Sequence, residues 1–181
     1  MSTDDNYAPG PAKDAGIEKD GEAWTLTLER ELRHPPASVW AALTDPAQLR
    51  EWAPFDADRN LGTVGAAKLS TVGAPTSKSG ESRVKRAEAP RLLELTWGEQ
   101  DLRWELEPLG GGGTRLRLWH QINRNYIAMG AAGWHICFDV LAGLLDERPL
   151  GRRVGPALMK DEGWQRLHGE YAALLGLKPA S

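Results

Sequence analysis

Two polar residues with chemical potential lie where the pattern calls for an apolar side chain. His120 shares one face of an alternating segment with Leu116 and Leu118, and Arg30 interrupts a similar leucine face earlier in the chain. A buried polar group costs about 1–3 kcal/mol unless it finds a partner. An imidazole and a guanidinium placed in this way could serve as general base and oxyanion partner in a cyclase or hydrolase acting on an aromatic or polyketide substrate.

Both residues also have structural interpretations. His120 lies near the end of its segment, where a backbone carbonyl could satisfy the ring. Arg30 could form an ion pair around a sheet edge with a carboxylate such as Glu94 or Glu105. The residue types alone leave catalysis and these structural roles open.

His135 and Asp139 are one helical turn apart, a spacing at which an imidazole and a carboxylate meet. They fall on the narrow polar edge of an apolar segment, so the sequence predicts a solvated surface pair. Neither His34 nor His168 is an evident third metal ligand. The chain also shows no Gly-rich phosphate loop, no nucleophile elbow and no Cys/His cluster. We therefore predict no metal site and no cofactor.

A late apolar helix must help to position these groups. The run over 133–145 places Trp134, Phe138 and Leu141 on one face, with Cys137, the single cysteine, on a second apolar stripe. Free cysteine is usually buried, so we expect Cys137 to be a small core residue. A helix with so little polar surface is expected to pack against the sheet that precedes it.

The rest of the pattern predicts an antiparallel sheet with short connections. Residues 1–22 carry few large apolar side chains and are predicted to form a flexible tail, followed by one domain over 23–178. The Gly-, Pro- and Ser-rich loop 73–80 is expected to be the least ordered interior segment. Alternation predicts strands over 24–33, 55–60, 66–71, 81–87, 91–97, 102–109 and 114–122, two short helices within 38–52, and a last helix over 162–175.

Composition narrows the classes of partner. The 181 residues carry 22 basic and 25 acidic side chains, a net charge of -3, with no clustered basic patch. Nucleic acid is therefore an unsuitable partner. The acidic N-terminus does not resemble a signal peptide, and inspection finds no apolar run of about 18 residues that would span a membrane. We predict a cytoplasmic protein without a membrane span.

Four motifs carry a resemblance to a known family. They are PPASVWAALTDP at 35–46 followed by Trp52, PRLLELTWG at 90–98, GTRLRLWH at 113–120, and Gly133-Trp134. Over about 24–146 they resemble the START-like, or SRPBCC (polyketide cyclase), superfamily, in the branch related to the activator of heat-shock protein 90 ATPase. The resemblance implies an α+β helix-grip fold. In it a curved antiparallel β-sheet wraps around a long C-terminal helix, with two short helices after the first strand and an extra C-terminal helix.

The resemblance also implies a hydrophobic cavity between the sheet and the late helix, where members bind lipids, sterols, polyketides or hormones. We expect a non-enzymatic carrier or sensor of a small hydrophobic molecule. The enzyme with His120 and Arg30 stays open, as does a chaperone-linked or stress-related interaction protein that uses loop 73–80 or the last helix. A homodimer also stays open. The ligand-binding residues expected in the cavity are Leu95, Trp97, Trp104, Leu106, Leu118, His120, Trp134, Phe138 and Leu141.

Overall fold

The computed structural model describes residues 7–73 and 79–177, in which an antiparallel sheet wraps around one long helix. The strands are β1 (Ala15–Asp20), β2 (Ala23–Leu32), β3 (Phe55–Ala57), β4 (Gly65–Thr71), β5 (Ser79–Glu88), β6 (Leu92–Trp97), β7 (Gln100–Pro108) and β8 (Thr114–Gln121). The helices are α1 (Pro36–Thr44), α2 (Pro46–Trp52), α3 (Ile127–Leu145) and α4 (Glu162–Leu174), with single 3-10 turns at Arg124–Tyr126 and Leu158–Lys160.

The eight strands follow the order β1-β2-β8-β7-β6-β5-β4-β3, and every neighbouring pair is antiparallel. Alternation explains the inner face: Leu26, Leu28 and Leu32 of β2 are buried, as the period of two requires. A register shift between Val84 and Arg86 adds a local bend to the β5–β6 pair. This architecture confirms the predicted α+β helix-grip fold.

The helix pair after β2 closes one end of the core. Asp45 caps α2 by accepting a hydrogen bond from the Ala47 backbone N–H at 3.0 Å, and Pro46 occupies the first helical position. At the other end of α2 the buried Trp52 donates its indole N–H to the carbonyl of Ala42 at 2.9 Å. The pair is therefore fixed by a side-chain cap and by a buried hydrogen bond.

Helix α3 begins at Ile127, earlier than the predicted start at Gly133. The glycines in this region look like a boundary in the sequence, yet Gly130 has a packing role inside the helix. A Cβ at Gly130 would lie 3.3 Å from Ile122 Cδ1 and 3.5 Å from Leu26 Cδ2. The missing side chain lets α3 approach the sheet closely at this point.

By length and composition, residues 124–145 would be able to cross a membrane. The segment has 22 residues and a mean hydropathy of 1.5 in its most apolar window, but 61% of that window is buried inside the structure. In the sequence, His135 and Asp139 interrupt this stretch, so it is not an unbroken apolar run. Burial against the protein's own sheet is the pattern of a core helix.

The prediction of a flexible tail over 1–22 is wrong for residues 7–20. Strand β1 pairs with β2 from Ala15 opposite Leu28 to Asp20 opposite Ala23. The backbone N–H of Ala12 also donates to Glu170 on α4 at 3.0 Å. The composition is poor in large apolar side chains, but backbone pairing and polar contacts hold this segment. Residues 1–6 and 74–78, the latter in the loop expected to be least ordered, lie outside the described residues.

Candidate functional site

An apolar pocket of about 210 Å³ lies where α3 meets one end of the sheet. Its floor is a single helical face, because Gly130, Gly133, Trp134 and Cys137 recur at the spacing of neighbouring turns. The remaining lining residues are Trp97, Gln100, His120 and Ile122 from the sheet end, with Pro54, Val154, Gly155 and Leu158 across from them.

The outer wall belongs to residues 147–161, the connection between α3 and α4, which we call the strap. Arg152 fastens it to the start of β3. Its guanidinium donates to the carbonyls of Ala53 at 2.8 Å and Phe55 at 3.0 Å, and it forms an ion pair with Asp56 at 2.9 Å. A single side chain thus connects the pocket wall to the sheet.

Close backbone packing holds the strap on its other side. Gly73 has φ +82°, and a Cβ there would lie 2.4 Å from Pro156 Cδ. Gly155 has φ +79°, and a Cβ there would lie 3.2 Å from the carbonyl oxygen of Val72. Both positions need a left-handed backbone and lack room for a side chain, so glycine is required in each.

Replacing Arg152 with methionine is expected to loosen the strap. Methionine keeps much of the apolar stem but leaves two carbonyls and Asp56 without their donor, which we expect to lower the free energy of unfolding by about 1–3 kcal/mol. Relative to the wild type, the rate of hydrogen exchange should increase more over 150–158 than over α3. Arg50→Met is the control, since Arg50 is exposed and donates to the carbonyl of Pro46 at the long distance of 3.4 Å. Equal exchange over 150–158 in the two variants would contradict the role of Arg152.

The polar end of the pocket is built around His120, whose exposed fraction is 2%. The indole N–H of Trp134 donates to His120 Nδ1 at 3.0 Å, and His120 Nε2 lies 2.7 Å from Oε1 of Gln100. The ring also stacks on Trp97, with centroids 5.6 Å apart. Burial lowers the pKa of His120 to about 4, so the ring is neutral at pH 7. The predicted backbone partner for this histidine is wrong, since two side chains satisfy it.

Arg30 lies away from the pocket and binds Asp139, with Nη1 and Oδ1 2.5 Å apart. The predicted partners Glu94 and Glu105 are wrong; both pair with Arg103 instead. In the β2–β8 register, His120 is opposite Leu26 and Arg30 is opposite Leu116. The backbone positions of the two residues are therefore about 13 Å apart along the strands. The structure does not bring together the pair that the enzymatic alternative requires.

The prediction of a solvated His135–Asp139 pair is also wrong. His135 is 2% exposed, and its Nδ1 lies 2.6 Å from the hydroxyl of Tyr171 on α4. The hydroxyl of Tyr7 donates to Asp139 Oδ2 at 2.5 Å. Burial lowers the pKa of His135 to about 4, although the nearby Asp139 carboxylate opposes that shift. The N-terminal segment and α4 cover this edge of α3, a tertiary effect that helical spacing cannot reveal. We call Tyr7, Arg30, His135, Asp139 and Tyr171 the polar cluster.

Of the nine predicted ligand-binding residues, three line the pocket and the others fill the core. Trp97, His120 and Trp134 surround the pocket. Trp104, Leu95, Leu106, Leu118, Phe138 and Leu141 are all buried in the continuous core beside it. The lining residues that were not predicted are Pro54, Gln100, Ile122, Gly130, Gly133, Cys137, Val154, Gly155 and Leu158.

Two signals could have located the missed residues. Gly130 and Gly133 are spaced for one helical face, and Val154 and Leu158 are apolar side chains within a Gly/Pro-rich connection. Cys137 is buried, as expected, and burial raises its pKa to about 12. Across 7–73 and 79–177, no group of three His, Cys, Asp or Glu side chains could hold a metal ion.

Comparison with known proteins places this architecture in a family. Residues 33–146, more than half of the chain, match the model of the family described as Activator of Hsp90 ATPase homolog 1-like protein. The chain belongs to this family. The match confirms the superfamily that the sequence motifs indicate, a fold that commonly binds small hydrophobic ligands. It ends before the strap begins.

Solved structures show the same fold. CalU16 from Micromonospora echinospora is 23% identical with a TM-score of 0.65, over 93% of this chain and 98% of that one. A conserved protein of unknown function from Enterococcus faecalis, EF2215, is 15% identical with a TM-score of 0.66, over 88% and 89% of the two chains. MLL2253 from Mesorhizobium loti is 26% identical with a TM-score of 0.58, over 68% of this chain and 97% of its own. No curated protein matches the chain.

Proposed function

We propose that this protein binds a small hydrophobic molecule in the pocket beneath the strap and acts as its carrier or sensor. The observation that carries the proposal is the pocket itself, an apolar space of about 210 Å³ beside the continuous buried core. In another protein, an engineered apolar cavity of about 150 Å³ binds benzene. The volume here therefore suits a single ring with a short substituent, or a short acyl chain.

The walls suit an aromatic ligand in particular. Trp97 and Trp134 stand nearly perpendicular, with an interplanar angle of 75° and centroids 6.1 Å apart. Two such indoles give a ring one face-on and one edge-on partner, the arrangement that aromatic groups prefer. No charged side chain lines the pocket. An uncharged ligand can therefore bind there without removing water from an unpaired protein charge.

Titration with isopropylbenzene tests the proposal. The indole N–H resonances of Trp97 and Trp134 report on the pocket directly, and saturable shifts of both are the expected result. If neither resonance moves at concentrations up to the solubility of isopropylbenzene, and acetophenone also fails to move them, the protein does not bind ligands of this class.

Filling the pocket from α3 should abolish this binding. A Cβ at Gly133 meets no atom within 4 Å, so the side chain of Gly133→Leu extends into the pocket. We expect affinity for isopropylbenzene to fall roughly tenfold or more, because an overpacked site costs about 1–3 kcal/mol. The free energy of unfolding should not fall, since leucine is a better helix former than glycine by about 0.8 kcal/mol.

Gly169→Leu is the matched control for that variant. Gly169 also lies in a helix, α4, and a Cβ there also meets nothing within 4 Å, but the residue is exposed and away from the pocket. Its substitution should leave binding unchanged. Affinity retained in Gly133→Leu, measured by the same tryptophan resonances, would show that the ligand binds elsewhere.

A further inference from the structure

The hydrogen bonds at the polar end of the pocket can run in only one direction. An indole N–H donates and cannot accept, so His120 Nδ1 must be the acceptor of the bond from Trp134. The neutral ring then carries its proton on Nε2. That N–H must donate, so the Gln100 atom facing it is the amide oxygen, as observed at 2.7 Å. The indole of Trp134 thus fixes the orientation of the Gln100 amide through the His120 ring, which lies between them.

With its oxygen bound to His120, Gln100 can use its amide nitrogen to donate a hydrogen bond into the pocket. Gln100 lines the pocket and is only half-buried. Over the described parts of the chain, no acceptor is hydrogen-bonded to its Nε2. Because both N–H groups of a primary amide donate, the polar end of the pocket offers donors.

The rest of the lining is uncharged. Its side chains are apolar apart from Gln100 and the neutral His120, and the cation that holds the strap, Arg152, is paired with Asp56. A ligand carboxylate in the pocket would lose its hydration without gaining a free counter-ion, which is strongly unfavourable. A carbonyl oxygen, in contrast, accepts hydrogen bonds without carrying a charge.

We propose that the pocket selects uncharged ligands that carry a hydrogen-bond acceptor beside a ring, such as an aryl ketone or aldehyde. Gln100 donates to the ligand oxygen, while His120 and Trp134 are positioning residues that hold the amide in the donating orientation. This inference rests on the proposed function, since it defines the chemical class of ligand for the same pocket.

Three ligands with equal numbers of non-hydrogen atoms test it: acetophenone, isopropylbenzene and benzoate. They are titrated into the wild type, Gln100→Leu and Gln100→Glu. The ratio of the Kd for isopropylbenzene to the Kd for acetophenone should fall roughly tenfold in Gln100→Leu, the value of one hydrogen bond. Gln100→Glu keeps an acceptor for His120 but replaces the donor amide, so the affinity for acetophenone should fall in this variant too. Benzoate should not saturate any of them.

Gln48→Leu serves as the control, because Gln48 lies on α2, outside the pocket, and its side chain donates to Asp45 at 3.4 Å. Its ratio should equal that of the wild type. A ratio that is the same in Gln100→Leu and the wild type, while both neutral ligands bind, would overturn the inference and leave the proposed function standing. Failure of both neutral ligands to bind would overturn the two together.

The positioning role has its own readout in the imidazole ¹⁵N shifts of His120. In the wild type they should show the tautomer protonated at Nε2. Trp134→Phe removes the indole N–H that donates to Nδ1, so a mixture of tautomers should appear and the preference for acetophenone should fall. Gln100→Leu should keep the wild-type tautomer while losing the preference. A wild-type ring protonated at Nδ1 would contradict the direction of the hydrogen bonds.

Discussion

Replacing Asp139 with asparagine is expected to lower the free energy of unfolding by about 2–3 kcal/mol. The carboxylate accepts from Arg30 and from Tyr7, each at 2.5 Å, and the side chains of Arg30 and Asp139 are only 14% and 19% exposed. Asparagine has nearly the same shape but no charge, so the guanidinium would remain largely buried without its counter-ion. Breaking one partner of a buried ion pair typically costs about 3–5 kcal/mol, and partial exposure reduces that figure here.

Urea unfolding at neutral pH measures this loss, and Asp101→Asn is the control. Asp101 pairs with Lys85 at 2.6 Å, but their side chains are 55% and 45% exposed, so the same substitution should cost less than about 1 kcal/mol. The double variant Arg30→Met, Asp139→Leu should lose less than the sum of its single variants, because neither charge is then left alone. Strict additivity would show that the two charges do not interact.

Acid should destabilise the fold through its two buried histidines. Burial holds the pKa of both His120 and His135 at about 4 in the folded state, below the value of about 6.5 in an unfolded chain. Between these values the unfolded state binds more protons, so stability rises with pH and is lost as pH falls from 6.5 toward 4. Each histidine contributes a loss of up to about 3 kcal/mol across that window.

Urea unfolding at several pH values from 7.5 to 4.5 measures the slope, and variants separate the histidines from the carboxylates that also titrate. His120→Gln and His135→Gln should each be less stable at pH 7 but less sensitive to acid, and the double variant should be the least sensitive. His168→Gln, which replaces a histidine stacked on Trp164, is the control. If all variants share the wild-type slope, the buried rings do not determine acid stability.

The sheet and helices were predictable because local patterns specify them. Alternation in β2 and β8, the Asp45-Pro46 helix start and the apolar faces of α3 all follow from rules that act over a few residues. The family resemblance then supplies the way in which they pack. The main errors at this level lie where backbone pairing replaces apolar burial, as in β1, which composition alone assigns to a tail.

The candidate site was less predictable because it depends on which side of α3 remains open. Helical spacing gives His135 and Asp139 a polar edge, but whether that edge meets water depends on α4 and Tyr7, which are distant in the chain. Trp104 and Trp134 are equally large and equally apolar in the sequence. Only the close approach of α3 at Gly130 and the path of the strap decide that Trp134 lines a pocket and Trp104 does not.

The strap begins after the part of the chain that matches the family model, which ends at residue 146. Val154, Gly155 and Leu158 thus close a pocket whose floor and polar end come from the shared framework. Under the proposed function, ligand selectivity would depend both on this shared framework and on the side chains of the strap. Exchanging Val154 and Leu158 for other side chains, with Arg152, Gly155 and Pro156 kept, offers a route to new ligand preferences in which the sheet and α3 need no redesign.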